Sequence, residues 1–192
     1  MIKMDRIVVA VLGNRQSGKS YTWNTLFGQT VRTKQDLRPL FFNKCEYAEV
    51  FLVSGSAEER KANIGDIITV DNPRIVLCSM QYHPNVMKTI DYFADEGYAL
   101  FVHWLNPGYE DGSAVNDKLK LMPYLLKRKA FLAVRNGKSN PAKRVPNTKN
   151  LHPENTSSAP LVQVYLQFGS GISLPFKRVY SFQSSTDNES SS

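Results

Sequence analysis

The run Gly13-Asn14-Arg15-Gln16-Ser17-Gly18-Lys19-Ser20 puts two glycines, a lysine and a hydroxyl at the spacing G-x-x-x-x-G-K-[ST]. Each fixed position has a chemical use against a chain of phosphates. Glycine allows backbone conformations that turn successive N–H groups inward around an anion. A helix that starts at the second glycine adds its unpaired first-turn N–H groups and the positive end of its dipole. Lys19 is spaced to reach the β- and γ-phosphates of a nucleotide, and the Ser20 hydroxyl to ligate Mg²⁺. Gly13, Asn14, Arg15, Gln16, Ser17, Gly18, Lys19 and Ser20 are therefore the candidate phosphate-contacting residues, although the pattern does not require the Arg15 side chain.

Such a loop works only between a strand and a helix. Ile7 to Leu12 (IVVAVL) is a continuous apolar, β-rich run, which suits a strand buried on both faces of a parallel sheet. A helix is expected from Gly18 to Phe27, closed by Gly28 at its C-terminal cap. Residues 7 to 28 resemble the first strand-and-helix unit of the P-loop NTPase superfamily. The resemblance implies a three-layer α/β sandwich, a mostly parallel sheet with helices on both faces, with the nucleotide beyond the carboxyl end of the first strand. It also implies ATP and Mg²⁺ as ligands. It ends at residue 28 and points to no subfamily.

Downstream, residues 29 to 46 read as irregular. Ala48 to Val53 reads as a strand and Ala57 to Asn63 as a short helix. Ile67 to Val70 and Ile75 to Met80 are apolar runs separated by the turn signal Asp71-Asn72-Pro73. Pro84 suits the first turn of a helix whose apolar stripe is Val86, Ile90 and Phe93, ended by Gly97. Tyr98 to Leu105 follows as a strand, which makes Ile75 to Leu105 a βαβ crossover. Ser113 is placed to cap a helix reaching about Arg128, with Val115, Leu119, Met122 and Leu126 as its stripe and Pro123 as an internal kink. Ala130 to Val134 reads as a short strand, 136 to 160 as a long loop, and Leu161 to Phe168 with Phe176 to Phe182 as a closing hairpin. Residues 1 to 182 thus form one domain, followed by a Ser-rich disordered tail over 183 to 192.

In the superfamily an acid at the end of a neighbouring strand holds Mg²⁺ through water. The Ile75 strand ends Ser79-Met80-Gln81, without one. Asp71 closes the Ile67 to Val70 run and is the first candidate for that acid, as a catalytic residue beside Lys19. Glu58 and Glu59, just beyond the Ala48 strand, are the second.

Three functional classes follow from the resemblance. The first is an ATP hydrolase whose turnover needs a partner. The second is a small-molecule or nucleotide kinase, and the third a nucleotide-gated binding protein. GTP is the alternative base: Asn24 to Gly28 resembles the first helix of many GTPases, but no D-x-x-G occurs, and Asn43-Lys44-Cys45-Glu46 imitates N-K-x-D too early in the chain. The kinase reading rests on residues 118 to 160 as a basic helix and loop, a possible lid. From Lys118 to Pro153 there are ten basic residues and no acidic one, within a chain of net charge +7. Arg128, Arg135 and Arg144 are the lid candidates, and the same segment would equally suit a nucleic-acid or acidic protein partner.

Among other residues, Trp23, His103 and Trp104 read as core. Gln81 and His83 lie where a sheet's carboxyl edge would be, and Gln81 is a candidate to orient a water. Cys45 and Cys78 are the only two cysteines, and neither sits in a C-x-x-C pair or near a histidine cluster, which argues against a disulfide framework or a structural zinc site. No apolar run approaches the ~20 residues of a membrane span, and the first residues lack a signal-peptide pattern. The expectation is a soluble cytoplasmic protein without membrane attachment.

Overall fold

The computed structural model describes residues 6–43, 46–105, 117–135, 163–165, 175–177 and 180–181. Five parallel strands form the centre of one sheet. They are β1 (Ile7–Gly13), β3 (Glu46–Val53), β4 (Ile75–Gln81), β5 (Ala99–Leu105) and β6 (Phe131–Arg135). The antiparallel β2 (Arg38–Phe41) completes the order β2-β3-β4-β1-β5-β6. Downstream, β7 (Gln163–Tyr165) pairs β8 (Pro175–Lys177), and β9 (Tyr180–Ser181) pairs the start of β3. The expected closing hairpin is thus seen in its β7 and β8 residues, while the tail from 183 lies outside the described residues. β2 falls in the stretch read as irregular. Its residues RPLF alternate without a wholly apolar run, and only Leu40 is buried.

β1 runs down the middle with all seven residues buried. Its two faces serve two cores. Val8, Ala10 and Leu12 join a cluster with Ala57 of α2 (Ala57–Arg60), Ile64 of α3 (Ile64–Ile67), Ile90 and Phe93 of α4 (Val86–Asp95), and Leu121 and Leu125 of α5 (Leu121–Lys127). Ile7, Val9 and Val11 join the other cluster, whose helical member is Trp23 of α1 (Lys19–Phe27). Helices therefore cover both faces, but unequally. Among the described residues only α1, the helix that follows β1, belongs to its face.

Several boundaries follow from local chemistry. α1 ends where Gly28 takes φ 65°, its N–H bonded to the Thr25 carbonyl. In α4, Val86, Ile90 and Phe93 are buried as the spacing predicts. The Ile67 to Val70 run is not a strand: Ile64 to Ile67 form a helical turn, and Ile67, Ile68 and Val70 pack partly buried against the α4-side core. A helix reaching Arg128 from Ser113 is also corrected. Lys120 has φ 53°, a left-handed backbone that a helix cannot pass through, and α5 starts at Leu121. Asp117 caps it, accepting from Leu121 N–H at 2.9 Å and Met122 N–H at 2.7 Å. Pro123 then lies in the first turn, where no intrahelical N–H is needed, so no kink is required. The stripe is rotated accordingly: Leu121 and Leu125 are buried and Leu126 is exposed. Ser113, Val115 and the 136 to 160 loop lie outside the described residues. Among the described residues, no helix is long and apolar enough to cross a membrane.

Candidate functional site

The carboxyl end of β1 is where the connections part. β4 and β5 flank β1 in register, Gly13 lying opposite both Gln81 and Leu105. The helices after β4 and β5 go to one face, and α1 goes to the other. In open α/β sheets a crevice forms where neighbouring connections diverge in this way, beyond the carboxyl ends of the strands. The Gly13–Ser20 loop occupies that point.

The loop is tightly built. The Gly13 carbonyl accepts from Tyr82 N–H at 3.0 Å and from the Lys19 ammonium at 3.1 Å. Lys19 Nζ also donates to the Asn14 carbonyl at 2.8 Å and lies 4.0 Å from Glu59 Oε1. The lysine is buried, so its charge is held inside the loop and not in solvent. Gln16 takes φ 63° and Gly18 φ 91°. A left-handed glutamine is strained, and such strain persists only where the surroundings fix it. α1 starts with no side-chain cap and no acid in its first turn. Cationic charge and helix N–H groups thus converge at one point of the sheet edge, the electrostatics an anion requires. Arg15 and Ser20 are exposed beside it, while Ser17 is buried within it.

The two sets of candidate acids separate cleanly. Asp71 is exposed in the turn before β4, at the amino edge of the sheet, where the neighbouring Arg74 carbonyl accepts from Ile7 N–H. A strand of seven residues puts that edge about 20 Å from the loop at ~3.3 Å per residue. Asp71 is thus no partner of Lys19; the apolar run it closes leads into a turn, not out of a strand. Glu58 and Glu59 sit on α2, at the loop's own edge. Glu59 is the acid beside Lys19. Glu58 accepts from Gln81 N–H at 2.9 Å and from the Thr89 hydroxyl at 2.5 Å, linking β4 to α4. Sequence carries a signal for this turn: Ser56-Ala57-Glu58-Glu59 has the S-x-x-E spacing of a helix start, and Ser56 Oγ accepts from Glu59 N–H at 3.4 Å.

A clip that the sequence did not suggest lies alongside. Thr33 N–H donates to Ser54 Oγ at 2.9 Å, Ser54 N–H donates to Thr33 Oγ1 at 3.0 Å, and Arg60 reaches the same hydroxyl at 2.8 Å. Behind it, Trp23 Nε1–H donates to Ser79 Oγ, which donates to the Ser54 carbonyl, both at 2.8 Å. Trp23 is therefore core, as read. Single hydroxyls 21 residues apart in sequence leave no pattern to find.

The remaining candidates fall elsewhere. Arg128 pairs with Asp91 at 2.5 Å and Asp95 at 3.2 Å, which ties α5 to α4. Arg144, and the side chain of Arg135, lie outside the description. Burial pushes the Cys78 thiol well above its ordinary range, and the Glu58 carboxylate adds to the effect, so Cys78 is an inert core thiol. Among the described residues no group of three His, Cys, Asp or Glu could hold a metal by itself. Mg²⁺ does not demand one, because it keeps several waters and takes one or two protein ligands plus phosphate oxygens. Ser20 and Glu59 suit that mode. Compared with models of protein families, with curated proteins and with solved structures, the chain finds no match.

Proposed function

We propose that the chain is a P-loop NTPase that binds ATP with Mg²⁺ on Gly13–Ser20. The observation that supports it is the Lys19 ammonium, buried against the Gly13 and Asn14 carbonyls at the carboxyl end of the central strand. Two carbonyls and the Glu59 carboxylate hold the ammonium in place beside a helix N-terminus, where its charge and the first-turn N–H groups would act together on an anion. In this reading Lys19 contacts the β- and γ-phosphates, the α1 amides cradle them, and Ser20 and Glu59 face the metal. Bound Mg²⁺ supplies neutralisation of the phosphate oxygens. Water attacks the γ-phosphorus in line, the bond to the β,γ-bridging oxygen breaks, and ADP, phosphate and a proton leave. With no general base assigned beside the loop among the described residues, turnover by the isolated chain is expected to be slow and to be accelerated by a partner.

A nucleotide-gated binding protein is the second reading, favoured by the short α2. Its Glu59 contacts Lys19 and its Arg60 holds Thr33, so a change at the phosphates has a short path to the segment between α1 and β2. Nucleotide binding and phosphate release, measured with ATP and GTP in Mg²⁺, test both. Lys19→Ala is expected to weaken binding about 10- to 100-fold, the scale of hydrogen bonds to a charged group. Equal binding by the variant defeats the proposal. Phosphate release by the wild type selects the hydrolase, and binding without release selects the gated module.

A further inference from the structure

Gln81 is the last residue of β4 and lies opposite Gly13. It continues the series Leu77, Ser79 of that strand. Leu77 belongs to the α1-side core, and Ser79 accepts the Trp23 bond from α1. The alternation of a strand therefore turns the Gln81 side chain to the face of α1 and the loop. Its Oε1 is buried and has no hydrogen-bond partner among the described residues. A buried carbonyl oxygen left without a donor is costly, and such atoms are rare in folded proteins. Its main chain, by contrast, is fixed. Glu58 accepts from its N–H, and the following N–H of Tyr82 is bonded to Gly13.

Resting on the triphosphate reading, we propose that Gln81 is a positioning residue for the metal: its Oε1 accepts a hydrogen bond from a water of the Mg²⁺ shell. The donor it lacks is one that arrives with the metal. An amide carries no charge, so it orients that water without adding the Coulombic attraction of a carboxylate. Glu58 contributes by holding the Gln81 backbone, which places the amide next to the loop.

The test is a Mg²⁺ titration of binding of a fluorescent ATP analogue, with a parallel series in EDTA. Gln81→Leu, which removes the acceptor, is expected to raise the half-saturating Mg²⁺ concentration about tenfold, as loss of an outer-sphere partner does. Gln81→Glu, of the same shape but charged, is expected to lower it. Gln81→Leu should bind metal-free nucleotide within about twofold of the wild type, because Gln81 acts through the metal's water and not on the phosphates, whereas the carboxylate of Gln81→Glu should weaken metal-free binding by repelling the bare triphosphate. Unchanged Mg²⁺ dependence in both variants overturns the proposal. So does a Gln81→Leu loss of equal size in EDTA, which would mark a structural role. A wild type that binds no nucleotide at any Mg²⁺ concentration defeats the triphosphate reading itself, and this inference with it.

Discussion

At the scale of the residue, Gly13 shows how closely chemistry and packing are joined in this loop. A Cβ built there meets the Ser17 side chain and lies 3.1 Å from the Leu105 carbonyl of β5. The first is a contact no side chain tolerates, and the second is backbone of a buried strand that has little room to yield. Gly13→Ala is therefore expected to push Ser17 and the loop away from β5. Overpacking of this kind costs about 1–3 kcal/mol, seen as a lower urea midpoint. The same displacement moves the Gly13 carbonyl that holds Lys19, so nucleotide affinity falls as well. A variant with wild-type stability and affinity would mean that the loop is more plastic than its contacts imply. Position 13 is required here by close approach to neighbouring atoms, whereas Gly18 and Gly28 are required by their left-handed backbones.

At the scale of the element, what was legible in the sequence depended on whether a signal was local. β1, α1 with its Gly28 cap, α4 and β5 were all readable because an apolar run or a 3.6-residue stripe is written in neighbouring residues. The loop of the candidate site was readable for the same reason, its eight residues being consecutive. The acid was not, since whether Asp71 or Glu59 lies near Lys19 depends on strand direction and on which edge of the sheet each turn occupies. Nor was the start of α5, where a left-handed Lys120 and the Asp117 cap override an apolar pattern that seemed to continue upstream. That cap allows a direct check. Asp117 receives two helix N–H groups and the Tyr82 hydroxyl, while Tyr82 in turn accepts from Leu119 N–H. Asp117→Ala should destabilise the protein by about 1–2 kcal/mol, the cost of a lost N-cap. Asp117→Asn keeps one acceptor oxygen and turns an NH2 donor toward the other helix N–H, so it should recover only part of the loss. Chemical denaturation of the two variants decides the matter; an unchanged midpoint in Asp117→Ala would show that this cap contributes little to stability.

At the scale of the whole molecule, the strand order sets a gradient of stability that converges on the candidate site. β1, β3, β4 and β5 are all paired on both sides, but β3 starts half-exposed and β3 and β5 each adjoin an edge strand, whereas β1 and β4 lie at the centre of the order and are buried almost to their ends. Opening either strand exposes both cores, so their amides should exchange with solvent only through global unfolding. β2 and β6 pair on one side only within the described sheet order. β6 carries exposed Phe131 and Val134, and β2 has exposed Pro39 and Phe41, so less apolar area resists their opening. Hydrogen exchange followed by mass spectrometry should therefore rank β1 and β4 slowest, β3 and β5 intermediate, and β2 and β6 fastest. The ranking matters for the proposed function, because the loop hangs from β1 and Gln81 from β4, the two strands at the centre of the order. If the proposed triphosphate binds there, groups standing on such strands lose little freedom on binding, which favours preorganisation over induced closure. Exchange of β1 as rapid as that of β6 would contradict this order, and the rigid platform proposed for Lys19 and Gln81 would go with it.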